Sequence, residues 1–144
     1  MARDPLRILL AVRRQSVEQA RALLGACLRS EAEALEGIRL LADAERRERT
    51  TCAAWPEALG FVEMAALRRE VTRARRRDAE AALAAAEAKS AQARDGVTAA
   101  RTAAEVVEQL IEERACAWRT EQALQEQHAL DDISRPRAGA PQRG

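Results

Sequence analysis

Stepping alternately by three and four residues along the first third of the chain meets Leu10, Arg13, Val17, Ala20, Leu24, Cys27, Glu31, Ala34, Ile38 and Leu41. Only Arg13 and Glu31 in that series are polar. An apolar stripe of seven-residue period, sustained over more than four heptads, specifies a helix whose seam faces another long helix. A lone helix leaves such a stripe in water, so the chain must supply or recruit a helical partner.

Composition points the same way. Trp55, Phe61 and Trp118 are the only aromatics among 144 residues, while Ala, Arg, Glu and Leu dominate. These are strong helix formers that provide little bulk for a globular core. A thin, extended, all-α structure follows. With 24 basic and 23 acidic residues, the chain carries no overall field to steer it towards a polyanion, and its expected partners are proteins. Cys27, Cys52 and Cys116 are widely spaced, without Cys-x-x-Cys or a histidine at ligand spacing. They signal neither a zinc site nor a disulfide framework, and they read as small apolar residues in a reducing compartment. No secretory signal or stretch of about 20 apolar residues is evident, which makes a cytoplasmic location the expectation.

Asp4-Pro5 is a plausible helix start: Asp caps free amide hydrogens, and Pro fits the first turn, where no amide donor is needed. The first helix is expected over residues 5–50 and a turn over 51–56, because Pro56 disfavours helical geometry at Trp55. A second helix should run over 57–133, followed by a disordered Pro/Gly-containing tail, 134–144. Residues 1–133 thus form a single antiparallel two-helix coiled-coil hairpin, the second helix longer than the first. The overhang of the second helix should carry the apolar stripe from Val107 to Leu124. Residues 79–104 offer only Leu83 and Val97 as large apolar groups among alanines, so the middle should be weakly held. The alternative is a second turn at Asp95-Gly96 and a three-helix bundle; a single Gly costs only about 1 kcal/mol in a helix, which favours the hairpin.

Several residues invite a functional reading. Arg68, Arg69, Arg73, Arg75, Arg76 and Arg77 could grip an acidic surface or phosphates, or form a solvated face paired with Glu63, Glu70, Asp78 and Glu80. His128 lacks any nucleophile or catalytic spacing around it, and no Gly-rich phosphate loop or HExxH motif occurs, so neither a catalytic residue nor a cofactor or metal site is expected. Phe61, beside the turn, reads as a partner anchor, and Trp118 equally as core filler or anchor. Asp131-Asp132 places negative charge against the C-terminal end of a helix dipole, which leaves it either neutralised by Arg135 and Arg137 or used in binding.

The segment Pro5-Leu6-Arg7-Ile8-Leu9-Leu10-Ala11-Val12-Arg13-Arg14, with Val17-Glu18-Gln19-Ala20 after it, resembles the opening of the FliJ family of flagellar type III export stalk proteins. The stretch from Trp55 to Leu67 and the closing Gln127-His128-Ala129-Leu130-Asp131-Asp132-Ile133 are similar to that family's turn-proximal and C-terminal signatures. The resemblance implies a hairpin like the central shaft of rotary ATPases, inserting its paired termini into the ring of the export ATPase FliI. Leu10, Arg13, Arg14, Val107, Ile111, Arg114 and Trp118 would face that ring. It also implies that the turn end approaches the export gate protein FlhA, with export chaperones as further candidate partners. Phe61 and Ala65 hold the first two positions of the family's gate-contacting patch. Arg68 stands where a third small apolar residue is expected, which shifts the patch towards Met64 and Leu67. An injectisome stalk shares this fold and mechanism; the C-terminal Leu-Asp-Asp-Ile segment favours the flagellar branch. A generic coiled-coil scaffold is the reading from a different class.

Overall fold

The protein is seen in a computed structural model that describes residues 4–54 and 61–135. They form two helices, α1 (Pro5–Ala53) and α2 (Phe61–Ser134), of 49 and 74 residues. At 1.5 Å per residue these are rods of roughly 74 Å and 110 Å. The expected turn at Trp55-Pro56, the expected first residues of the second helix (57–60) and most of the tail (136–144) lie outside the described residues.

The start of α1 follows from its first two residues. Leu6 N–H donates to the Asp4 carboxylate at 3.1 Å, and Pro5 occupies the first helical position. The helix runs past its expected end near residue 50, as far as Ala53. Thr50 and Thr51 donate their hydroxyls to the carbonyls of Arg46 and Arg47, each at 3.0 Å. The hydroxyls are thereby satisfied inside the helix, and the β-branched pair does not break it. No break occurs at Asp95-Gly96 either: α2 is continuous there, so the three-helix alternative does not form. A Cβ built on Gly96 would meet nothing within 4 Å, which places this glycine on an open face with no close approach to require it.

The helices pack antiparallel. Three ion pairs crossing between them run in opposite senses along the two helices: Asp4 with Arg114 at 3.8 Å, Arg14 with Glu108 at 2.8 Å, and Glu45 with Arg76 at 3.9 Å. The seven-residue series of α1 faces α2 along its length. Val17 is buried, and Leu10, Ala20, Leu24, Cys27, Glu31, Ala34, Ile38 and Leu41 are half-buried. Arg13 is the exception and is exposed, since its long stem carries the guanidinium out to water. The series extends at both ends, with Leu6, Glu45 and Cys52 also half-buried.

Among the residues of α2 whose burial is described, the buried ones all fall between Ala86 and Val107: Ala86, Ser90, Ala93, Val97, Ala104 and Val107. The alanine-rich middle, expected to be weakly held, is thus where the buried residues of α2 concentrate. Side chains of one carbon let the backbones approach until almost nothing of them remains exposed, although each contributes little area. No helix among the described residues is long and apolar enough to cross a membrane.

Candidate functional site

The two predicted sets of contact residues lie at opposite ends of the hairpin, roughly 60 Å apart at the rise of a helix. At the open end, α1 begins level with Arg114, whose guanidinium lies 3.8 Å from the Asp4 carboxylate. Beyond Arg114, α2 continues to Ser134 with no described residue of α1 opposite it, an overhang of roughly 30 Å. The overhang therefore starts further along than the sequence suggests. Val107, at 5% exposure, is buried against α1 and presents no surface to a partner; Ile111 and Leu10 are half-buried in the same seam. The reason is length: α1 reaches back to Pro5, far enough to cover both α2 residues.

What stands exposed at this end is a mixed surface. Ile8, Leu9 and Val12 project from α1 beside the exposed Arg13 and Arg14. Arg14 is held by its 2.8 Å contact with Glu108. Trp118, 62% exposed, lies just past the point where α1 begins, with Leu124, Leu130 and Ile133 beyond it. Among the described residues Trp118 therefore fills no gap in the seam. Asp131, Asp132 and His128 are also exposed on the overhang. Cys116 is an exposed thiol there, whereas Cys27 and Cys52 are half-buried.

At the turn end, Met64 and Leu67 are 56% and 62% exposed. Ala65 is half-buried and faces α1 across a cleft of about 470 Å³ that also includes Cys52, Arg68 and Arg69. Met64 and Leu67 therefore share one accessible face while Ala65 belongs to the seam. Phe61 is the first residue of α2, and its side chain lies outside the described residues. Of the arginine run, Arg76 alone reaches both helices, 3.9 Å from Glu45 on α1 and 3.9 Å from Glu80 on its own helix. Arg68, Arg69, Arg73, Arg75 and Arg77 are exposed.

Two features escaped the sequence reading. Val71, 51% exposed, continues the face of Met64 and Leu67 and makes it a stripe; the spacing 64, 67, 71 was legible but was overshadowed by the arginines. The other is a polar layer inside the seam. Counting two heptads from the Glu45–Arg76 contact brings Glu31 and Ser90 within about a turn of each other. Ser90 is fully buried, and neither its Oγ nor Glu31 Oε2 makes a hydrogen bond. Continuing the seven-residue count through α2 would have put Ser90 in the seam. Among the described residues, no group of three or more His, Cys, Asp or Glu side chains is arranged to hold a metal ion. Searches of family models, curated proteins and solved structures returned no match to this chain.

Proposed function

We propose that the chain is the non-enzymatic central stalk of a flagellar type III protein export apparatus, promoting assembly and activation of the FliI ATPase ring and coupling it to the export gate protein FlhA. The observation that carries this reading is the asymmetry of the hairpin. A rigid rod has one end extended by a single helix bearing an exposed Trp118 and the other marked by exposed Met64 and Leu67. A shaft that reaches between a ring and a gate needs a stiff body and two different ends, and the resemblance of the sequence to stalk proteins supplies the identity of both partners. On this reading Trp118, Arg13, Arg14 and Arg114 touch the ring. Met64 and Leu67 touch the gate, with Phe61 beside them, and the chain sits at the inner face of the cell membrane through these partners.

The test is the ATPase rate of purified FliI from the same organism titrated with this protein. Saturable stimulation is expected. Trp118→Ala should raise the concentration for half-maximal stimulation by about tenfold or more, the usual scale for losing an aromatic anchor. A Met64→Asp/Leu67→Asp variant should stimulate normally and fail in export. Absence of stimulation under conditions where the ring assembles would reject the reading.

A further inference from the structure

The back of α2 near the turn is apolar where a two-helix hairpin calls for polar residues. Ala65, Thr72 and Ala79 are half-buried and face α1. Met64, Leu67, Val71 and Ala74, spaced by three, four and three residues, fall on the other side of the helix and are exposed; Asp78 interrupts the stripe, which resumes at Ala81. Arg68 and Arg75 border it. A helix with an apolar stripe both towards and away from its partner is built to be covered on both sides.

The chain itself carries a segment of matching form. Between Ala115 and Ser134 the overhang has four carboxylates, Glu121, Glu126, Asp131 and Asp132, against one arginine, Arg119. At about 100° per residue, Trp118, Ile133, Glu126 and Leu130 lie within about 120° of one another around the axis. They form a largely apolar face that also carries Glu126 and Arg119. Trp118 to Ile133 covers roughly 23 Å and Met64 to Ala81 roughly 26 Å. The two segments thus agree in length and carry opposite net charge: residues 64–81 hold six arginines against Glu70, Asp78 and Glu80, and residues 115–134 the four carboxylates against Arg119. They sit at opposite ends of a rigid rod and cannot meet within one molecule.

We propose that the overhang of one copy docks on the Met64–Leu67–Val71 face of a second copy, with Glu126 set against Arg68 and Arg75. The contact is heterologous, head to tail, so each molecule keeps one free surface of each kind and the assembly is open to further addition. It is independent of the export reading. Because it covers both Trp118 and Leu67, self-association would compete with any partner that uses either end.

Sedimentation velocity on the full chain up to about 1 mM, a concentration at which even a millimolar contact is about 40% formed, tests this. The mass should rise with concentration and fall with added salt, since the contact is partly between charges. Leu67→Glu/Val71→Glu removes one surface and Leu130→Glu/Ile133→Glu the other, all at exposed positions, with helicity checked by circular dichroism. Each variant alone should be monomeric. Mixed, they should form a complex that stops at two chains, because each still holds the surface the other lacks. A wild-type chain that stays monomeric throughout, either variant associating by itself, or a mixture that stays monomeric would each overturn the proposal.

Discussion

At the scale of single residues, stability rests on small side chains and is withheld at a few polar ones. Ser90 has no exposed surface, and its hydroxyl is shielded from water without a hydrogen bond, a situation that typically costs about 1–3 kcal/mol. Ser90→Ala keeps the volume of the close approach and deletes the orphaned hydroxyl. Thermal unfolding should shift upward by about 3 °C, roughly 1 kcal/mol. A drop instead would mean that the hydroxyl has a partner worth more than its burial costs. Gly96 offers a second test at an open position: Gly96→Ala should add about 1 kcal/mol of helix stability, measured by urea denaturation, because a Cβ there meets nothing within 4 Å. Glu31, level with Ser90, and the largely buried Glu45 near Arg76 put charge where an apolar residue would hold more strongly. We read them as register marks, since a seam of alanines alone slides by a heptad with little penalty.

At the scale of the elements, the two helices were not equally readable from sequence. The stripe of α1 is legible because Leu24, Ile38 and Leu41 contrast with Arg and Glu on its other faces, so its phase is unique. In the middle of α2, alanine occupies every face: Ala86 and Ala93 lie in the seam, while Ala81, Ala85 and Ala88 are exposed, and composition cannot tell one set from the other. Length and antiparallel pairing followed from the heptads, but the start of the overhang depended on the register of the crossing and shifted from Val107 to just past Arg114. The site residues divide along the same line, with Trp118, Met64 and Leu67 exposed and Val107 withdrawn into the seam. This division has a measurable consequence in amide exchange. An isolated helix of about 20 residues is marginal in water, so protection should fall sharply beyond Arg114 and be greatest between Ala86 and Val107. Uniform protection to Ser134 at low concentration would show that the overhang is held by something other than its own helix.

At the scale of the whole molecule, a hairpin is defined by one number, the offset between its strands of helix, and every functional statement about its ends depends on that offset. The ion pairs at the open end and near the turn bring Cys27 and Ala93 within about a turn of each other, whereas Ala86 and Ala100 lie one heptad, about 10 Å, to either side. A disulfide forms only when the two Cα atoms come within about 7 Å, which makes cross-linking a ruler fine enough to separate these cases. With Cys52 and Cys116 replaced by Ser, Cys27 should oxidise readily with Ala93→Cys and far more slowly with Ala86→Cys or Ala100→Cys, read as a mobility shift reversed by reductant. Preference for either flanking position would mean that the whole overhang is longer or shorter by a heptad. Trp118 would then lie closer to or further from the first turn of α1, and the surface offered at the open end would change with it. Repeating the assay in Glu31→Leu/Ser90→Ala joins the scales: if the polar layer fixes the offset, its removal should raise stability while cross-linking spreads to the neighbouring positions. Cross-linking that stays at Ala93→Cys would assign the register instead to the pairs at the ends, Arg14 with Glu108 and Glu45 with Arg76.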